Sequence, residues 1–168
     1  SAMYGAGMWV EGSNVTIANA DAEGVSAQYS GGFAFLGDAT FTAVNLNISD
    51  PQGDQTNGVG VYARGSTVSW IGGGVSGGAA SSLLSGFSGG AVYLSESSTM
   101  SGTDLEFRDN SAYNGGALEI IDGSTAALID VVFEGNTAHR AGGALRAYES
   151  AEVTCTGCVF DSNTADRG

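Results

Sequence analysis

Apolar residues recur along this chain in short alternating runs, each introduced by a pair of small residues. The runs are GAGMWV (Gly5–Val10), GGFAFL (Gly31–Leu36), GVGVYA (Gly58–Ala63), GGAVYL (Gly89–Leu94), GGALEI (Gly115–Ile120) and GGALRA (Gly142–Ala147). Counted from the first glycine of each, the steps are 26, 27, 31, 26 and 27 residues. Side chains alternate between faces in an extended strand, so the fourth and sixth residues of each run share one face and the fifth takes the other. A fixed period of this length predicts a solenoid, in which each unit buries its apolar face only by stacking on the next.

The fifth unit shows how one coil is written. Gly115-Gly116 makes a corner that needs positive φ, which glycine adopts without steric cost. Ala117-Leu118-Glu119-Ile120 reads as a first strand. Asp122-Gly123-Ser124 is a turn signal, and Ala126-Ala127-Leu128-Ile129 reads as a second strand. Asp130 breaks it, Val131-Val132-Phe133 reads as a third, and Glu134-Gly135-Asn136 turns back toward the next doublet. Three short strands per coil predict an all-β, single-stranded parallel β-helix of six coils, starting near residues 5, 31, 58, 89, 115 and 142. With coils stacked about 4.8 Å apart, the rod is roughly 30 Å long. Glycine is too abundant for helices, and no 3.6-residue stripe persists.

Stacking places equivalent residues in columns. One column holds Met8, Ala34, Val61, Val92, Leu118 and Leu145, and a second holds Val10, Leu36, Ala63, Leu94, Ile120 and Ala147. Both are wholly apolar, as inward columns should be. The last three units share F-x-x-N: Phe107 with Asn110, Phe133 with Asn136, and Phe160 with Asn163. Stacked phenylalanines would fill a corner of the core. Stacked asparagines would form an amide ladder between coils, as in cross-β stacks.

F-x-x-N followed by GGA and an aliphatic residue resembles the repeat of chlamydial polymorphic outer-membrane proteins, a repeat type found in large secreted β-helix proteins. The resemblance is good over Gly89–Gly168 and looser over Ser1–Ser88. It implies a right-handed β-helix stalk or passenger region at the cell surface, used mainly in adhesion. Ser1-Ala2-Met3-Tyr4-Gly5 lines up with Ser111-Ala112-Tyr113-Asn114-Gly115, and a further unit opens at Gly168. Both ends therefore read as cut from a longer solenoid.

Composition narrows the function. Of 168 residues, 28 are glycine, yet 42% are hydrophobic, which argues for a packed core rather than disorder. The net charge is −13, with five arginines and no lysine. Nucleic-acid binding needs a basic footprint that is absent here, and anionic lipid is disfavoured for the same reason. The acidity reads as a solvated, repulsive surface or, less simply, as surface calcium binding. No stretch approaches the ~20 apolar residues of a membrane-spanning helix, so direct membrane insertion of this segment is not expected.

Four departures from the repeat carry the candidate chemistry. The fifth-position column reads Trp9, Phe35, Tyr62, Tyr93, Glu119, Arg146. Its parity points outward, as an exposed aromatic stripe followed by a pair of opposite charges. Three readings stay open: a self-stacking ladder, a docking surface for a protein partner or a neighbouring copy, and a platform for sugar rings. The third unit is longer, which predicts a loop around Ser81-Ser82-Leu83-Leu84-Ser85. Asp50-Pro51-Gln52-Gly53-Asp54 is a second excursion and a weak calcium candidate. Cys155 and Cys158 replace core-type residues; a local disulfide, two buried thiols, or a metal site with His139 are the options.

Parallel β-helices also house polysaccharide lyases and hydrolases, which need a lysine or arginine base with Asp-bound calcium, or converging carboxylates. The doublet face offers only Glu119 and Arg146. An ice-binding rod would want a regular outward Thr-x-Thr ladder, and none is evident in the sequence. The reading is a non-catalytic extracellular structural or adhesive segment of a cell-surface or filament-forming protein, without a cofactor. Its partners would be other copies, neighbouring coils, or a host or matrix protein or glycan. A polysaccharide-binding or polysaccharide-degrading protein is the alternative.

Overall fold

The structure, a computed structural model, describes residues 2–54, 57–80 and 88–167. Among the described residues the chain forms strands and no helix. Every strand pairing is parallel, and each strand pairs with its counterpart one coil away. Three sheets result, which is the β-helix predicted from the period.

The doublet sheet stacks Met8–Glu11, Ala34–Gly37, Val61–Arg64, Val92–Ser95, Leu118–Ile120 and Leu145–Ala147 in the predicted register. The first glycine of every doublet has positive φ, between 46° and 71°. The second solves a different problem. A Cβ on Gly116 would run into the carbonyl oxygen of Gly143 in the next coil, so glycine lets these two coils approach at that corner.

The second sheet is built on long strands: Asn14–Glu23, Thr40–Ser49, Thr67–Ser76 and Thr99–Arg108. A residue of positive φ kinks each one, at Asn19, Asn45, Gly72 and Asp104. In the last two coils the strand splits at that point, giving Thr125–Ile129 with Val132–Glu134, and Glu152–Thr156 with Val159–Asp161. The sequence-based assignment needs correction here. Val131-Val132-Phe133 prolongs this second sheet. The third sheet is instead formed by Thr137–Ala141 and its counterparts, such as Ser111–Asn114, which follow the F-x-x-N asparagine. Polar Ser and Thr at those positions hid a strand whose pairing comes from stacking rather than from its own hydrophobicity.

Both inward columns of the doublet sheet are buried in the four middle coils, with Leu36, Leu94, Leu118 and Ile120 fully enclosed, while Met8, Val10 and Leu145 are half-buried and Ala147 is exposed. The long strands contribute Phe41, Leu46, Ile48, Trp70, Leu105, Phe107, Leu128 and Phe133 to one continuous core. Trp70 fits because its column neighbours are Ala43 and Gly102. Its indole Nε1 donates to the Gly72 carbonyl at 3.1 Å, so the one polar atom of the ring is satisfied inside the core. The proposed loop at Ser81–Ser85 and the unit start at Gly168 lie outside the described residues.

Candidate functional site

The aromatic column is a stack. Trp9 and Phe35 lie 4.4 Å apart between ring centroids, Phe35 and Tyr62 5.2 Å, and Tyr62 and Tyr93 5.3 Å, with interplanar angles of 23°, 13° and 7°. The coil spacing sets these distances. The column points away from the core as its parity predicts, but the expectation of an exposed stripe is corrected. Trp9 is 49% exposed, whereas Phe35 and Tyr93 are only 7% and 9% exposed. Each ring covers the face of the next, so Phe35 and Tyr93 are closed off from solvent and Trp9 is left as the open end of the stack.

Below Tyr93 the column continues as Glu119 and Arg146. The Arg146 guanidinium donates to Glu119 Oε1 at 2.5 Å and also lies 4.7 Å from the Tyr148 ring centre. Glu119 is buried, and its Oε2 has no hydrogen-bond partner. Burial pushes its pKa up to about 7, although Arg146 and Arg140 pull the other way. Desolvation also raises the Tyr93 phenol above its ordinary value.

The F-x-x-N residues form two parallel ladders. Phe107, Phe133 and Phe160 stack at 5.4 and 4.8 Å. Asn110 Nδ2 donates to Asn136 Oδ1 at 3.0 Å, and Asn136 Nδ2 donates to Asn163 Oδ1 at 2.9 Å. The same oxygens accept backbone N–H groups of Asn110 and Asn136, so each amide ties its own coil to the next. A third ladder went unread in the sequence. Ser66, Ser98 and Ser124 are buried, and each hydroxyl accepts the N–H of Ala39, Ser66 or Ser98 one coil earlier. Its only sequence signal is a serine at the same turn of three successive coils.

Cys155 and Cys158 are both free thiols. Cys155 pairs with Leu128 at the strand position expected but is exposed rather than core-facing, and only Cys158 packs partly against the core. Desolvation, with Cys158 beside it, pushes the Cys155 thiol up to about 11.

A shallow groove of about 390 Å³ crosses the third long strand, floored by Gly73 and Gly74 and walled by Asn47, Asp104, Glu106 and Arg108. It brings two carboxylates to its walls, and Glu106 is held by Arg108 Nε at 2.9 Å. Among the described residues, no cluster of three or more His, Cys, Asp or Glu is placed to hold a metal ion.

The outer side of the long strands, ahead of the kink, presents a surface the sequence reading did not find. Register aligns Thr40, Thr67, Thr99 and Thr125 in one column, and Thr16, Thr42, Ser69 and Ser101 in the next. A third column runs Val44, Ile71, Thr103, Ile129. A regular Thr-x-Thr ladder is not formed, since only Thr40-x-Thr42 and Thr154-x-Thr156 read so, but the rows together make a face of threonine, serine, valine and isoleucine. The rows begin at turns of differing length, and only the strand pairing shows that they align.

Residues 130–148 match the sequence model of the Chlamydia polymorphic membrane protein (Chlamydia_PMP) repeat. The matched stretch contains Phe133, Asn136 and the Gly142-Gly143-Ala144-Leu145 doublet, and bears out the resemblance at the length of one repeat. No curated protein and no solved structure matches the chain.

Proposed function

We propose that this chain is a non-catalytic β-helix segment of an extracellular cell-surface protein, working as a stiff spacer that holds its faces at fixed positions. The observation that carries this reading is where the repeated side chains go. The aromatic stack, the asparagine ladder and the serine ladder all spend their contacts on neighbouring coils. A repeat whose polar groups satisfy one another stiffens the rod and leaves little on those columns for a substrate. The match of residues 130–148 to a membrane-protein repeat supports the surface setting.

The groove supports the non-catalytic side of the reading. General acid–base hydrolysis of a glycoside needs two free carboxylates on opposite sides of the bond. Here Glu106 is tied to Arg108, which also contacts Glu134. Incubation with neutral and acidic polysaccharides, read by new reducing ends and by unsaturated uronate absorbance, is expected to give neither product. Either product would overturn the spacer reading. The adhesive part is tested on a glycan array, where hits lost in Trp9→Ala and Tyr62→Ala would assign the aromatic column to sugar binding.

A further inference from the structure

The long-strand face ahead of the kink is an ordered lattice of hydroxyl and methyl groups. Six five-residue segments each turn three side chains outward, and of these only Glu152, at one end, is charged. The chain carries 18 acidic and five basic residues, so an uncharged face of this size is a feature to explain. We propose that this face binds ice, holding a layer of ordered water that matches the crystal.

Four properties point to that ligand. The first is periodicity. Hydrogen-bonded strands repeat about every 4.8 Å along the rod, and alternate residues repeat about every 6.6 Å along the strand. Both lie near the water-oxygen repeats on prism faces of hexagonal ice. The second is regularity. Pairing of these segments shows no register shift across all six coils, whereas the third sheet slips at Tyr4 and again at Asn114.

The third property is stiffness. Threonine, valine and isoleucine are restricted at χ1, so their groups hold position against a crystal. Behind them Phe41, Trp70 and Leu128 fill the core and fix the strands. Thr99 Oγ1 donates to Thr67 Oγ1 at 3.4 Å, which holds these two hydroxyls of successive coils in place. The fourth is chemistry. Hydroxyls anchor water by hydrogen bonds, and adjacent methyl groups order the first water layer without competing for it. A charged group would instead impose its own hydration shell.

A protein partner fits less well. The face lacks the tryptophan, tyrosine and arginine anchors that dominate protein interfaces. Ile71 and Ile129 are about half exposed, but they are separated by Thr103 rather than joined into one apolar patch. The proposal does not rest on the spacer reading, since a spacer with inert faces would serve that role equally well.

The test uses the purified chain and three readouts: the gap between melting and freezing points, inhibition of ice recrystallisation, and retention on crystalline cellulose and chitin. The wild type is expected to open a freezing gap and to keep ice grains small. Ser69→Tyr puts a ring in the middle of the lattice and is expected to abolish both effects while the circular dichroism spectrum is unchanged. Thr42→Lys, which adds a flexible charge, serves the same purpose should Ser69→Tyr fail to fold. Arg64→Gln, on the doublet sheet, is expected to leave both effects intact. The proposal is overturned by a wild type without any effect on ice, or by face variants as active as the wild type. Retention on cellulose or chitin that Ser69→Tyr abolishes, without an effect on ice, would assign the face to a crystalline polymer instead.

Discussion

Oδ1 of Asp109 lies 2.5 Å from where the first side-chain carbon of residue 135 would stand, and residue 135 is glycine. Both residues have positive φ, 53° and 65°. The relationship recurs: Asp38 lies under Gly65, Asn45 under Gly72, Asp50 under Gly77, and Asp130 under Gly157. In these pairs the side-chain oxygen of a left-handed Asx folds over the stacked turn and fills the space a Cβ would take, whereas Asn19 under Asn45 accepts the next coil's amide instead.

Gly135→Ala is therefore expected to destabilise the chain by about 2 kcal/mol or more, from the left-handed backbone and the clash together. The double variant Asp109→Gly, Gly135→Ala should recover the steric part and leave the backbone part. Thermal unfolding of the two singles and the double reads this coupling. Strictly additive effects would show that the two residues do not interact.

Asn136 is buried, donates to the Phe107 carbonyl at 2.9 Å, and accepts from the N–H of Asn110. Asn136→Ala leaves those backbone groups unsatisfied inside the rod and should cost about 3 kcal/mol. Asn163→Ala removes a ladder member that is only half-buried and should cost less. Hydrogen exchange would locate the loss at the coils joined by Phe107–Asn110 and Phe133–Asn136. Equal losses for the two variants would contradict the ranking by burial.

Glu119 gives the chain a pH dependence of defined sign. Its carboxyl holds a proton up to about pH 7 in the fold, but only to about 4.5 when unfolded. Between those values the folded state binds more protons, so stability falls as pH rises, by up to about 3 kcal/mol over the window. The wild type should melt higher at pH 5 than at pH 8 once other carboxylates are accounted for by comparison with Glu119→Gln, which lacks this slope. An identical slope in both proteins would remove Glu119 as the cause.

The Cys155 thiol, pushed up to about 11, is mostly protonated at pH 8. Only the thiolate reacts readily, so alkylation should be slow at pH 8 and should still be accelerating above pH 9. The pair is also proposed to close as a structural disulfide under an oxidised thiol buffer, with a loss of two hydrogens by mass. Rapid alkylation at pH 7 would contradict the raised pKa, and an unchanged mass after oxidation would contradict the disulfide.

The period, the inward columns and the F-x-x-N ladders were legible in the sequence because they are one-dimensional. A residue that recurs every 26 or 27 positions names its own neighbour once stacking is assumed. Parity alone puts Leu118 and Ile120 inside and orders the column from Trp9 to Arg146, and both hold in the structure.

What the sequence could not supply depends on how side chains share space across coils. Phe35 and Tyr93 were expected in solvent and are covered, because stacked rings bury one another's faces. The strand Thr137–Ala141 looked like a turn, since its own residues carry little hydrophobic signal and its pairing is supplied by the coils on either side. The hydroxyl lattice of Thr67, Thr99 and their neighbours emerged only with the register. Two threonines 32 residues apart become adjacent through the longer third coil, a relationship set by folding in three dimensions rather than by spacing along the chain.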